Sequence, residues 1–276
     1  MSKRIYFLTS EIVPFAESYI LSPYSKEVPN VFIENGVDFR VMMPKYGFIS
    51  ERRYILREVI RLRDMKLNFQ GKEVDASVKS AFVPNTKVQV YFLENEDYYK
   101  PSKRNKLYSP ESDENTNAIR FAYFSSAALA TLNYLRWKPD VIVCNDWQMA
   151  LLPMFLGSDL LDNEYFEDVK VVQTIMSKSD KSQYSLDEYD KIGLKAAAED
   201  LSQSNELDAV AASIQLSDKV LFINHEGDLK KEYEKGGFKD VLDDNQDKIS
   251  TFELENTNQE DWEELADEID QIIEKI

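Results

Sequence analysis

Residues 138–153, KPDVIVCNDWQMALLP, decide how this chain folds. After Pro139 and Asp140, the run Val141-Ile142-Val143-Cys144 is short, apolar and β-branched, the composition of a strand buried on both faces of a parallel sheet. It breaks at Asn145-Asp146-Trp147-Gln148. Met149, Ala150, Leu151, Leu152 and Met154 then read as the start of an apolar helix, with Asp146 as its N-cap. The polar turn therefore sits at the carboxyl end of a strand. In open α/β sheets that edge is where ligands bind, because helix N-termini present unpaired N–H groups there.

The same alternation continues on both sides. Residues 4–9, RIYFLT, read as a first strand. Residues 25–34 read as a helix with Val28, Val31 and Phe32 inward, and Pro29 either near its start or at a kink. Gly36 ends it, and residues 37–43, VDFRVMM, form the second strand. Residues 44–83 differ. Arg40, Lys45, Arg52, Arg53, Arg57, Arg61, Arg63 and Lys66 make a locally basic stretch, read either as a solvated insertion paired with the acidic remainder or as an anion-binding surface, with a hairpin turning at Gln70-Gly71. Residues 87–93 return to strand character, and residues 94–117 form a polar loop. Residues 120–135 make an amphipathic helix with Phe121, Phe124, Ala128, Leu132 and Leu135 inward.

Beyond the central stretch, residues 169–175 and 217–223 are strands, residues 184–214 largely helix, residues 227–233 a short helix, and Gly236-Gly237 a turn. Residues 258–276 form a capped amphipathic helix with Trp262, Leu265, Ile269, Ile272 and Ile276 in one stripe. The fold class predicted is α/β: a doubly wound, mainly parallel, Rossmann-like sheet plus a C-terminal amphipathic helix. Residues 1–250 make the sheet domain, and residues 251–276 an acidic helical tail docked on that domain or on a partner.

Of 276 residues 43% are hydrophobic, enough for a sizeable core, and the formal charge is −17. That charge repels nucleic-acid phosphates and anionic membranes at long range, so neither is expected as a partner. The single cysteine, Cys144, permits no internal disulfide and reads as a structural thiol of a reducing cytoplasm. No run approaches the ~18 apolar residues of a membrane span, and no signal-cleavage pattern is present. No metal-ligand spacing, Walker loop or serine-histidine-aspartate set appears, and His225 reads as a solvated loop histidine. No glycine precedes Gly36, so the first strand-to-helix turn lacks the residues that let backbone N–H groups approach a phosphate.

Several blocks together resemble the N-terminal half of bacterial glycogen synthases and plant starch synthases. They are FLTSEIVPFAES, Asn35-Gly36-Val37-Asp38 with Arg40-Val41-Met42-Met43-Pro44-Lys45-Tyr46, VYFLENEDYY, RFAYFSSAAL, WKPDVIVCNDWQMALLP, VVQTI and SDKVLFIN, collinear over residues 4–240. The resemblance implies one half of a GT-B glycosyltransferase, which transfers glucose from ADP-glucose to an α-1,4-glucan.

At the family's ligand positions this chain departs from it. The family's Lys-Thr-Gly-Gly-Leu-Gly-Asp loop falls on Glu17-Ser18-Tyr19-Ile20-Leu21-Ser22-Pro23, so an attractive charge becomes repulsive and paired glycines acquire side chains. The family's His-x-His-Asp-Trp-His falls on Val143, Asn145 and Gln148 in place of its histidines, with Asp146 and Trp147 kept, and Met176 stands for a later histidine. No catalytic residue is assigned; the degenerate positions are Glu17, Val143, Asn145, Gln148 and Met176. Asp146, Trp147 and Tyr99 are the candidate substrate-binding residues, with Tyr98, Tyr108 and Tyr123 as further aromatic surfaces. No metal or cofactor is expected, and the substitutions argue against binding of the family's donor, ADP-glucose. The family's donor-binding domain is expected to be absent. The expected role is a non-catalytic glucan-binding or regulatory protein of glycogen metabolism, cytoplasmic, with an α-glucan and a second protein chain as partners. The alternative is a glucosyltransferase subunit completed by a partner chain or working through an altered site.

Overall fold

In the computed structural model, which describes residues 3–100, 102–109, 116–158, 160, 163–202 and 204–276, the central stretch forms a strand in the middle of a large sheet. The strands are β1 (Arg4–Leu8), β2 (Asp38–Pro44), β3 (Arg57–Glu58), β4 (Met65–Phe69), β5 (Lys72–Phe82), β6 (Gln89–Glu94), β7 (Val141–Asn145), β8 (Lys170–Ile175), β9 (Gln183–Ser185), β10 (Glu206–Asp208), β11 (Lys219–Asn224) and β12 (Ile249–Glu253). Among the described residues ten of them make one sheet in the order β12-β11-β8-β7-β1-β2-β6-β5-β3, with β4 paired to β5. From β12 to β6 every pairing is parallel, and β5 closes the other end antiparallel to β6, β3 and β4. The predicted doubly wound, mainly parallel α/β fold is what forms.

Burial explains the pattern. All five residues of β7 are buried, as are Ile5 to Leu8 of β1, because helices cover both faces of a parallel sheet. The helix Asn117–Leu135 is capped by Thr116, whose side chain accepts from the Ile119 N–H. It was expected to bury one face; residues from Asn117 to Leu129 are buried on almost every side, while Leu135 is only half-buried. Its Arg120 is itself buried and donates to the carbonyls of Leu107 (2.9 Å) and Tyr98 (3.1 Å) and to Ser102 Oγ (2.7 Å). One guanidinium thus anchors the polar loop beyond β6.

The C-terminal helix, Gln259–Glu274, starts with a capping box between Asn258 and Asp261 and packs on the helix Leu21–Glu34. Trp262, Leu265, Ile269, Ile272 and Ile273 are buried in it, each stabilising by about 1.5–3 kcal/mol. Ile276 is only half-buried.

Several local expectations are corrected. The first helix begins at Leu21 rather than residue 25 and carries Pro29 in its interior. The hairpin does turn at Gln70-Gly71, both at positive φ, but residues 44–83 are no detached insertion, because β5 pairs with β6 from Ser77↔Glu94 to Phe82↔Gln89. Residues 184–214 hold the antiparallel pair β9–β10 as well as three short helices. After β7 there is first a 3-10 turn, Trp147–Met149, and then the short helix Leu152–Leu156. Finally β12 was not anticipated: it lies across residue 250 and pairs with β11 from Val220↔Ile249 to Asn224↔Glu253. No helix among the described residues is long and apolar enough to cross a membrane.

Candidate functional site

From β1 the chain winds outward through β2 and β6 on one side and through β7, β8, β11 and β12 on the other. The carboxyl ends of β1 and β7 therefore flank a topological switch point, the crevice where α/β sheets hold ligands. Asn145 forms its floor. Its Nδ2 donates to the Leu8 carbonyl (2.7 Å) and its Oδ1 accepts from Thr174 Oγ1 (2.9 Å), joining β1, β7 and β8.

Asp146 comes next, fully buried at φ 59° and ψ −173°. Glycine adopts that region freely, and any other residue there is strained by about 1–3 kcal/mol. The carboxylate makes no side-chain capping hydrogen bond to the following 3-10 turn, so the expected N-cap role is corrected. Instead Oδ2 accepts from Tyr19 OH (2.6 Å) and Ser177 Oγ (2.7 Å), and Oδ1 accepts from the N–H groups of Met176 and Ser177 (both 3.3 Å). Gln148, also buried, donates through Nε2 to the Tyr19 hydroxyl (3.0 Å). Burial raises the Asp146 carboxyl above its ordinary value, against the pull of these hydrogen bonds. Tyr19 is pushed well up, first by burial and then by the charges of Asp146 and Glu11.

A second carboxylate lies beside the first. Glu11, in the turn after β1, is wholly buried and accepts from Ser18 N–H and Ser18 Oγ (both 2.5 Å) and from Tyr108 OH. Burial raises its pKa, Ser18 and Tyr108 oppose that, and the Asp146 charge adds to it. Tyr108 also meets Ser10 Oγ (2.8 Å), and Tyr46 OH donates to the Ser10 carbonyl (3.0 Å). Among the described residues no lysine or arginine forms an ion pair with either carboxylate.

The sequence candidates thus divide. Asp146, Asn145 and Gln148 meet in one network with Met176, which contributes its backbone N–H. Trp147 is buried edge-on between Tyr108 (5.2 Å) and Phe121 (5.5 Å), Val143 lies inside β7, and Tyr99 is enclosed with its hydroxyl on the Arg120 carbonyl (2.9 Å). Neither Trp147 nor Tyr99 offers a free ring face. Tyr123 is likewise in the core, and burial pushes the Cys144 thiol up, as suits a structural group. Glu17 stays exposed on the lip of an open cleft of about 550 Å³ above the network. Tyr19, Met176, His225, Glu226 and Glu232 also line it, and among the described residues no lysine or arginine does. His225 Nδ1–H donates to the Leu254 carbonyl (3.2 Å).

Glu11, Ser18 and Ser177 were not singled out from the sequence, and Tyr108, expected as an aromatic surface, is instead buried with its hydroxyl on Glu11. Glu11 left a signal: a lone acid between the first buried strand and Ile12-Val13 must either turn to water or find internal donors. No cluster among the described residues could hold a metal ion.

A family model described as the starch synthase catalytic domain matches residues 4–243. The glycogen synthase of Chlorobium phaeobacteroides is 36% identical over 175 residues, covering 62% of this chain and 35% of that protein. That of Chlorobium limicola is 37% identical over the same length and coverage, and that of Chlorobium chlorochromatii is 31% identical over 191 residues, 69% of this chain and 39% of that protein. Among solved structures, the catalytic domain of starch synthase IV from Arabidopsis thaliana bound to ADP and acarbose has a TM-score of 0.77 and 20% identity, covering 91% of this chain and 51% of that one. That likeness is one of fold. The chain spans 35–39% of the length of these curated relatives.

Proposed function

The chain belongs to the starch synthase catalytic domain family, and on that premise we propose that it is a non-catalytic member, a glucan-binding or regulatory protein of glycogen metabolism. One observation carries the reading: the crevice at the switch point is closed by the chain's own Tyr19, bonded to Asp146. Glucosyl transfer from a nucleotide sugar is driven by fixed positive charge around the departing diphosphate. Here the cleft is edged by Glu17, Glu226 and Glu232, which oppose that charge. A neutral glucan is not repelled by such a surface, and the family's α-glucan chemistry supports it as the ligand.

The test is threefold. Affinity electrophoresis through glycogen reads retention, calorimetry with ADP and ADP-glucose reads donor binding, and labelled ADP-glucose, then UDP-glucose, reads transfer onto glycogen and malto-oligosaccharides. Retention without nucleotide binding or incorporation is expected. Incorporation above a denatured control, lost in Asp146→Asn or Glu17→Gln, would overturn the reading in favour of a transferase with an altered site. Absence of both ligands would overturn its glucan part and leave a protein-binding scaffold.

A further inference from the structure

The basic stretch that the functional site does not use forms the free β3 end of the sheet. Residues 52–63 hold five arginines, Arg52, Arg53, Arg57, Arg61 and Arg63, in a chain of net charge −17. Arg63 pairs with Glu58 (3.2 Å), Arg53 lies over the Tyr54 ring, and Glu51 is taken by Lys45 and Lys79 (both 2.8 Å). Arg52, Arg57 and Arg61 are exposed, with no ion pair among the described residues.

Apolar surface accompanies the charge. Six large hydrophobic side chains are exposed among the described residues, and three of them, Ile55 (66%), Ile60 (80%) and Phe82 (59%), lie on this one edge. Singly exposed hydrophobics are ordinary, but a group beside a free strand is not. Ile55 holds φ 54°, a left-handed conformation that a β-branched residue adopts only under strain, yet its side chain points into water. Glycine or asparagine would end the helix Glu51–Tyr54 there without strain. The opposite free edge, β12, exposes no large hydrophobic side chain.

The ladder is open as well. The Val59 N–H donates inward to the Val78 carbonyl (3.0 Å), so alternation turns the backbone groups of Glu58 outward, where no strand among the described residues covers them.

We propose that this edge is the docking surface for an extended acidic segment of a partner protein. The segment would add a strand outside β3, lay apolar side chains on Ile55, Ile60 and Phe82, and place carboxylates against Arg52, Arg57 and Arg61. Charge complementarity selects this occupant. The net charge of −17 repels a nucleic acid or an anionic bilayer over its whole extent. A short segment feels only the local arginines, because charges beyond about 8 Å are screened at physiological salt. The inference does not depend on what binds at the switch point.

Fluorescence anisotropy of the full chain with a fluorescein-labelled peptide of alternating valine and glutamate tests it, with the valine–lysine peptide as control. Saturable binding of the acidic peptide alone is expected, weakening about tenfold between roughly 0.05 and 0.5 M salt. The triple variant Arg52→Glu, Arg57→Glu, Arg61→Glu and the single variant Phe82→Ser should each lose about tenfold in affinity, with melting curves unchanged because all four side chains are exposed. Should the triple variant misfold, Phe82→Ser carries the test. No binding, equal binding of the lysine peptide, or full binding by folded variants would overturn the proposal. So would patch-dependent co-sedimentation with phosphatidylglycerol vesicles, or patch-dependent dimerisation in light scattering, each of which assigns the edge to another occupant.

Discussion

Replacing Asp146 separates a structural latch from a dispensable relic of an active site. Its carboxylate takes hydrogen bonds from Tyr19, Ser177 Oγ and two backbone N–H groups. Asp146→Ala strands all four donors in a buried crevice, where an unpaired group costs about 1–3 kcal/mol. Partial relaxation, with Tyr19 turning to Gln148 Oε1 (3.3 Å), lowers the sum, and the expected loss is about 4 kcal/mol. That corresponds to a fall in melting temperature of roughly 8–16 °C. Asp146→Gly relieves about 1–3 kcal/mol of backbone strain while leaving the donors unpaired, so it should melt above the alanine variant. Asp146→Asn keeps an acceptor for both N–H groups and lets the two hydroxyls accept instead, and should melt within a few degrees of the parent. Urea and thermal unfolding followed by circular dichroism read the series. An alanine variant that melts with the parent, or an asparagine variant as unstable as the alanine one, would refute the latch.

Two further outcomes follow from the same geometry. Glu11 has its folded pKa raised from the ordinary 4.5 by burial, so the folded chain holds that proton more tightly than the unfolded one. Stability contributed by this group is therefore present below the unfolded value and declines as pH climbs through the window from 4.5 to the raised folded value, by about 1.4 kcal/mol per pH unit across that window. The melting temperature of Glu11→Gln relative to the parent should rise over that window and level off above it; a difference independent of pH would contradict the assignment. At the C-terminal helix, Trp262→Ala should cost about 3–5 kcal/mol, and deletion of residues 258–276 should expose apolar surface on the helix Leu21–Glu34, read as increased dye binding and aggregation. A truncated chain with unchanged melting and solubility would show that the helix packs there without stabilising the domain.

What could be read from the sequence was what local composition determines. Val141-Ile142-Val143-Cys144 and Val220-Leu221-Phe222-Ile223 announce buried parallel strands because both faces are apolar, and that alone selects an α/β fold. β12 escaped notice because Ser250, Thr251 and Glu253 are polar, as an edge strand allows, and pairing with β11 rather than propensity holds it. Of β5 only the start was legible, in the hairpin at Gln70-Gly71; its extension to Phe82 was concealed because only three of its eleven residues are fully buried. The capping role given to Asp146 followed from its place between strand and helix, and failed because its carboxylate is taken by Tyr19, Ser177 and the Met176 N–H, none of them in the following turn. Replacement of the family's glycines by Tyr19 and Ile20 was plain, but the bond from Tyr19 to a residue 127 positions away was not. No periodicity encodes a contact of that separation.

The internal bonds also give the non-catalytic reading its physical content. A site that awaits a ligand keeps polar groups turned toward solvent, so that the ligand exchanges its bonds to water for bonds to protein. In this crevice the side chains of Glu11, Tyr19, Asn145, Asp146 and Gln148 are all hydrogen-bonded within the protein. Tyr19, on the loop where the resemblance places glycine, reaches Asp146, and Gln148, where the resemblance places a histidine, supports the Tyr19 hydroxyl. Asn145, at another such position, binds only strand and Thr174 atoms, while Ser18 and Tyr108 saturate Glu11. A ligand entering here must first break the Tyr19–Asp146 bond, worth about 1.5–3 kcal/mol for a charged acceptor, and then replace the donors that the two buried carboxyl groups lose. A diphosphate brings charge of the wrong sign, so on the proposed reading closure of the crevice and exclusion of the nucleotide would have one physical cause.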